Sequence, residues 1–277
     1  MRAPFLSGPV LRLVVAGVLV VNGLFPALWI LLTSLKTEAE LTEKPITWLP
    51  ANPVLENYRI AFTDQPLHLF LFNSLMVALL STALTLFVSV LAAYALARLR
   101  LRRRGLILSA IIAVSTFPLV TLLVPLFEVM RALSLLNTWA ALILPYTVLS
   151  LPVCTLILVS FFEGIPRDLE NAAMIDGCSR MGALFRVVVP LSAPGVFTAG
   201  ILAFVNAWDE FLLALSFNAN PALRPLPVGI QLYQGEFAFP WPVISAALVV
   251  GIVPVAVLIV LFQERVVSGL ATGGVKG

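Results

Sequence analysis

Six stretches of the chain contain no Asp, Glu, Lys or Arg: 13–35, 69–97, 105–127, 132–162, 187–208 and 237–263. Each exceeds the roughly 18–20 residues that an α-helix needs to cross about 30 Å of hydrocarbon. A transmembrane β-barrel would instead alternate polar and apolar residues in segments of about ten. The pattern therefore predicts six membrane-spanning helices, at about 10–34, 69–97, 105–130, 138–162, 194–217 and 242–263. Between them lie external loops at 35–68 and 218–241 and an internal loop at 163–193.

Composition agrees: 60% of the 277 residues are hydrophobic and 11% are charged, with a mean hydropathy of +1.04. A soluble domain carries about 25% charged residues, so the bilayer must serve as solvent for most of this chain. Arg2 and Arg12 precede the first apolar run as they would in a signal peptide. That run is about twice the usual length of a signal core, and no small-residue cleavage site follows, so it reads as a retained anchor.

Charge sets the orientation. Twelve of the 17 Lys and Arg residues fall on the side that holds both termini, loop 98–104 and loop 163–186. The other side holds Lys36, Lys44, Arg59, Arg131 and Arg224. Positive loops stay inside, which predicts cytoplasmic termini. The densest cluster, RLRLRRR at 98–104, reads as a topology anchor against anionic lipid head groups. Nucleic acid is a poor partner for seven residues pinned against a membrane.

Outside, LENYRIAF at 55–62 is amphipathic, with Leu55, Tyr58 and Phe62 on one flank. The segment 218–242 combines five prolines with Tyr233, Phe237, Phe239 and Trp241. It suits either contact with a partner protein or an interfacial aromatic belt.

Chemistry is sparse. No phosphate-binding loop, zinc-protease or serine-hydrolase motif is present. Cys154 and Cys178 lie too far apart in topology to pair, and His68 has no neighbouring ligand for a metal. Paired carboxylates inside a predicted span occur in one place, NAWDEF, where Asn206, Asp209 and Glu210 share a helix face beside Trp208. Carboxylates there can accept sugar hydroxyls, stabilise a break in the helix, or mark the external end of the span.

Loop 163–193 is more structured than a connection requires. Pro166 suits the first helical position, Asp168 and Glu170 complement the helix dipole, and Gly177 supplies a left-handed stop. Ser179 can open a second helix running to Val189, broken by Pro190 and Pro194. Leu169, Ala172, Ala173 and Asp176 largely share one flank of the first helix. Small alanines and acidic charge fit a groove on another protein better than a lipid surface, which favours bulky apolar and basic residues.

The segment IPRDLENAAMIDG, followed by VVVPLSAP, resembles the conserved cytoplasmic loop of permease subunits in ATP-binding-cassette importers. Ala172, Ala173, Gly177 and Pro190 match that pattern. Asn171 stands where the family usually has Glu, which leaves the preceding Glu170 available for charge pairing. FNSLMVA, AAYALARLR, LSLLNTWAALILPY, AWDEFLLAL and FQERVVSGLATGGVKG extend the resemblance to the carbohydrate (maltose/trehalose-type) branch over nearly the whole chain.

The resemblance implies an all-α integral membrane protein of the type I importer permease (MetI-like) fold, with 166–177 as a coupling helix seated in a cytoplasmic ATPase. Its coupling residues would be Glu170, Asn171, Ala172, Ala173, Asp176, Gly177 and Pro190. Asn206, Trp208, Asp209 and Glu210 would line the substrate pathway, with Asp209 in place of the family's Asn. Gln263 and Lys276 would belong to a tail approaching the ATPases. The expected partners are a second homologous permease, a dimer of ATP-binding subunits that holds the ATP and Mg, an extracytoplasmic sugar-binding protein, and membrane lipid. The chain itself would carry no cofactor and catalyse nothing. The expected cargo is a disaccharide such as trehalose or maltose, with glycerol phosphate or an oligosaccharide as alternatives. A stand-alone ion-coupled carrier would have only Asp209 and Glu210 to work with.

Overall fold

Backbone amides that cannot reach water must be satisfied within their own segment, and the chain obeys by forming helix almost throughout. The computed structural model describes residues 9–235 and 239–274. Arg2, Phe237 and Lys276, singled out from the sequence, lie outside them. In chain order the helices begin with α1 (Pro9–Ser34), α2 (Glu38–Thr42), α3 (Glu56–Thr63) and α4 (Leu67–Arg98). There follow α5 (Arg104–Ser115), α6 (Leu119–Ala132), α7 (Ala140–Gly164), α8 (Arg167–Ile175) and α9 (Arg180–Ala183). The last are α10 (Val189–Leu191), α11 (Ala193–Asp209), α12 (Leu212–Phe217), α13 (Leu226–Ile230) and α14 (Trp241–Gly274).

Four described helices, α1, α4, α7 and α14, are long and apolar enough to cross a membrane. Two bent pairs bring the number to six if each counts as one span. The stretch expected as one span at 105–130 is such a pair: α5 and α6 meet at 95°. Pro118 sits at the corner in an extended conformation (ψ 129°), and a proline disfavours helix in the residue before it. The stretch expected at 194–217 is likewise interrupted, because α11 stops at Asp209 and α12 starts at Leu212. The final helix continues past the expected limit at 263.

The described residues divide into two compact units. One comprises the first 67 residues with Ile230–Val253. Here the link after α1 is held by buried polar groups rather than apolar packing. Lys36, 2% exposed, donates to the Thr47 carbonyl and lies 5.6 Å from the Trp29 ring centre. Glu40 accepts from the Ala51 amide at 2.8 Å, and the Asn57 amide donates to Ser34 and Lys36 carbonyls, each at 2.8 Å. Asn57 thus anchors α3, the helix expected from LENYRIAF, to the end of α1. Tyr233 donates to the Ala61 carbonyl of α3; burial, aided by the nearby Asp64 charge, pushes its hydroxyl up to about 12.

The other unit comprises His68–Gly229 with the chain from Pro254 onward. Its core gathers Ala93 and Ala97 of α4, Leu158 and Phe162 of α7, and Leu184 and Ala199 from the following helices. Gly195 lets α11 reach α7: a Cβ there would fall 2.3 Å from Cγ of Phe161. At the far end of α4, Asn73 is buried and donates to the carbonyls of Ala222 (2.8 Å) and Arg224 (3.1 Å) while accepting from the Trp139 indole (3.1 Å). Ser74 accepts from the Leu226 amide at 2.8 Å. FNSLMVA therefore fastens segment 222–226 to α4.

Candidate functional site

Two groups of residues singled out from the sequence form separate sites, both in the second unit. The first is α8 and its surroundings. The helix starts at Arg167, so Pro166 sits one residue outside the expected first position, as an extended cap (ψ 132°). Its end is a complete glycine stop. Gly177 has φ +92°, its amide donates to the Met174 carbonyl (3.1 Å), and the Cys178 amide donates to the Ala173 carbonyl (2.9 Å). That pairing of bonds satisfies two of the carbonyls that a helix end leaves free. Ser179 then caps α9 as expected, its side chain accepting from the Gly182 amide at 3.1 Å.

The second helix continues through a π turn at Leu184–Val188 and through α10, one residue pair beyond the expected Val189. The π turn ends two residues before Pro190. A proline cannot donate to the carbonyl four residues back and collides with it, and widening the turn relieves the collision. The helix then bends by 82° into α11, at Ser192 just ahead of Pro194.

On α8, Asp168, Leu169, Asn171, Ala172, Ile175 and Asp176 are exposed, and Ala173 is half-buried. Ile175 is 85% and Leu169 47% exposed, so the outward flank is more apolar than the sequence reading supposed. Glu170 is not on that flank. It is buried against α4, where Tyr94 donates to its Oε1 and the Nε of Arg98 lies 3.3 Å from its Oε2. The same guanidinium donates through Nη2 to the Ile165 carbonyl at 2.9 Å, and Arg167 donates to the Ala97 carbonyl at 3.4 Å. The C-terminal end of α7 is thus capped by an arginine of α4, and that of α4 by an arginine of α8, cation against carbonyl dipole.

Of the RLRLRRR cluster, expected to act as a lipid anchor, Arg98 is internal and Arg104 pairs with Glu163. Arg100, Arg102 and Arg103 remain exposed. Spacing alone carried no sign of the internal pair, because Tyr94 and Arg98 lie some seventy residues from Glu170.

The second group surrounds the break between α11 and α12. Tyr146, Ser150, Asn206 and Glu210 border an open pocket of about 240 Å³, closed by Leu119, Leu149 and Ala207. Glu210 accepts from the Tyr146 hydroxyl (2.5 Å) and from the amides of Leu213 (2.9 Å) and Ala214 (3.2 Å). Of the three readings open for this carboxylate, the geometry realises the helix break: Glu210 caps the restart of the helix. Trp208 lies elsewhere, buried and stacked on Phe204 at 5.6 Å. Asn206 and Asp209 are exposed. Gln263 falls on α14. No cluster of metal ligands occurs among the described residues.

Residues 85–270 match the family of binding-protein-dependent transport system inner membrane components. A sulfoquinovosyl glycerol transport system permease protein of Agrobacterium fabrum is 83% identical, covering 99% of this chain and 96% of that one. A trehalose transport system permease protein of Mycobacterium tuberculosis is 39% identical, covering 92% and 93%. A trehalose/maltose transport system permease protein of Thermococcus litoralis is 38% identical, covering 92% of each. A crystal structure of a bacterial ABC transporter involved in the import of alginate superposes with a TM-score of 0.81, at 21% identity, over 95% of this chain and 98% of the other. That last likeness establishes the fold. The chain belongs to the binding-protein-dependent transport system inner membrane component family, whose members are permeases and not enzymes.

Proposed function

We propose that this chain is one permease subunit of an ATP-driven importer that carries an anionic sugar glycoside of the sulfoquinovosyl glycerol kind into the cytoplasm. The observation that carries the cargo is the 83% identity over 99% of the chain to a permease named for that solute. The trehalose and trehalose/maltose permeases stand at 39% and 38%. They support the disaccharide reading only at the level of the sugar branch. A second permease would complete the pore, a binding protein would deliver the sugar, and a pair of ATP-binding subunits would power it.

In this reading the termini and loop 163–193 are cytoplasmic, as the charge distribution favours. The exposed flank of α8, with Leu169, Ala172, Ile175 and Asp176, seats in the ATPase. Asn171 and Asp176 supply polar contacts there, and Gly177 and Pro190 fix the ends of the lever. Closure of the ATPase dimer moves α8 as a rigid body, and the spans exchange inward-facing for outward-facing. The tail with Gln263 and Lys276 approaches the same subunits. Asn206 and the pocket beside Tyr146 contribute polar groups to the pathway. Glu210, engaged on both oxygens, offers little free charge to an anionic cargo.

The test is reconstitution of the four-component complex in liposomes, with the binding protein outside. Sulfoquinovosyl glycerol should stimulate ATP hydrolysis and enter the lumen, and trehalose should do neither. Equal stimulation by trehalose would return the cargo to the disaccharides. Uptake by the chain alone, driven by an ion gradient and indifferent to ATP, would overturn the importer reading.

A further inference from the structure

We propose that Glu170, Arg98 and Tyr94 form a buried transmission joint, which makes the cytoplasmic end of α4 and the coupling helix one moving part. The proposal rests on the importer reading and adds the route by which the lever's motion enters the spans.

The covalent route from α8 runs through Ile165 and Pro166 to α7 on one side, and through Gly177 to α9 on the other. Each link is a single turning residue: Pro166 is extended, and Gly177 has φ +92°. The link to α4 crosses some seventy residues of sequence and is made by side chains that meet one another and nearby main-chain carbonyls. Both partners of the ion pair are nearly dry, with side chains 4% (Arg98) and 9% (Glu170) exposed. A pair so buried is weak as a source of stability but costly to break, because the survivor is left as an uncompensated charge. That asymmetry suits a joint that must hold through every cycle.

Three further contacts make the joint resist both sliding and rotation. Arg98 also holds the Ile165 carbonyl, Arg167 holds the Ala97 carbonyl, and the Tyr94 hydroxyl lies 3.5 Å from the Arg180 carbonyl at the start of α9. One end of α4 therefore grips the segment before α8, α8 itself, and the segment after it. At 1.5 Å per residue, the 32 residues of α4 span about 48 Å. That exceeds the hydrocarbon thickness, so its last turns can project to where α8 lies. The other end of α4 holds Asn73, which binds the external segment 222–226. Displacement of α8 would thus be passed along one continuous helix to the opposite face. Glu170 is a positioning residue, and Asn171 beside it is exposed and free to face the ATPase. The family's Glu and this chain's Asn171 then occupy the docking flank, while Glu170 serves the interior.

The deciding quantity is sugar transported per ATP hydrolysed in the reconstituted complex. The wild-type complex tests the importer reading by itself, since it must transport sugar at all. With that established, Glu170→Gln should still co-purify with the ATP-binding subunits and hydrolyse ATP, with transport per ATP falling about tenfold, within the usual range of inter-site coupling. Glu170→Asp should restore the ratio to within about twofold, and Tyr94→Phe should lower it about threefold, on the same scale. If Glu170→Gln lowers hydrolysis and transport in proportion, or leaves both unchanged, the joint is only structural and the proposal falls. Should that variant fail to assemble, Tyr94→Phe decides, because it keeps the ion pair: an unchanged ratio overturns the joint and a lowered one supports it.

Discussion

The Tyr146 hydroxyl donates to Glu210 Oε2 at 2.5 Å, tying the second turn of α7 to the point where α11 ends and α12 begins. The carboxylate also receives two main-chain amides, from Leu213 and Ala214. A broken helix at membrane depth is tolerated only where its freed amides find partners, and Glu210 supplies them from within the chain. The break and the pocket beside it are thus held by one side chain.

Glu210→Ala removes that cap and leaves the Tyr146 hydroxyl without its acceptor. Loss of a cap costs about 1 kcal/mol, and a stranded buried donor about 1–3 kcal/mol more. The purified variant should melt several degrees lower in detergent. Tyr146→Phe leaves the cap in place and should lose less than half as much. Equal losses in the two variants would mean that the cap contributes nothing.

Gly177 sits at φ +92°, where a side chain is strained even though nothing lies within 4 Å of an added Cβ. Gly177→Ala should therefore cost about 1 kcal/mol through backbone strain alone. In a coupled importer it should also re-aim α9 and reduce transport. Gly177→Leu, or Ala172→Leu on the exposed flank, adds bulk against the ATPase and should abolish coupled transport while the permease still inserts. Wild-type uptake by Ala172→Leu would place the ATPase contact elsewhere.

The broad architecture was readable because lipid imposes one rule, long apolar runs, and α1, α4, α7 and α14 follow it without exception. The glycine stop at 177 and the cap at Ser179 were readable for a similar reason: each depends on residues within five positions. What the pattern concealed was the break inside the apolar run at Pro118, where hydropathy stays high while the backbone turns; the break at Glu210 was one of the three readings open there. It also concealed pairings between distant residues. Glu170 looked like a surface charge on an amphipathic helix, and Arg98 like one more topology signal; only the fold brings them together beneath Tyr94. Asn73 was visible merely as part of a family block, and its three hydrogen bonds give that block a physical role.

Asn73 is nearly fully buried and makes all three bonds with its side chain. Asn73→Leu retains the volume but strands the carbonyls of Ala222 and Arg224 and the Trp139 indole. At about 1 kcal/mol net per lost bond, the variant should be destabilised by roughly 2–3 kcal/mol. Protease cleavage within 218–229 should accelerate in the intact membrane, and cleavage in 163–193 should not. Uniform acceleration at both loops would argue against a local clasp.

Asp209 separates the importer from an ion-coupled carrier most directly. It is exposed, and unlike Glu210 it is not needed to cap the break. If the cargo is an anionic glycoside, a carboxylate along its route repels it by about 1 kcal/mol in watery surroundings. Asp209→Asn should then leave ATP-driven uptake unchanged or raise it by up to about fivefold, the factor that such an energy confers. The gain should shrink at high salt, because exposed charges are screened beyond a Debye length of about 8 Å at physiological ionic strength. A carrier that used Asp209 to bind its coupling ion would instead lose uptake by orders of magnitude and retain no ATP dependence. The same substitution, measured with and without ATP at two salt concentrations, therefore returns opposite signs for the two mechanisms.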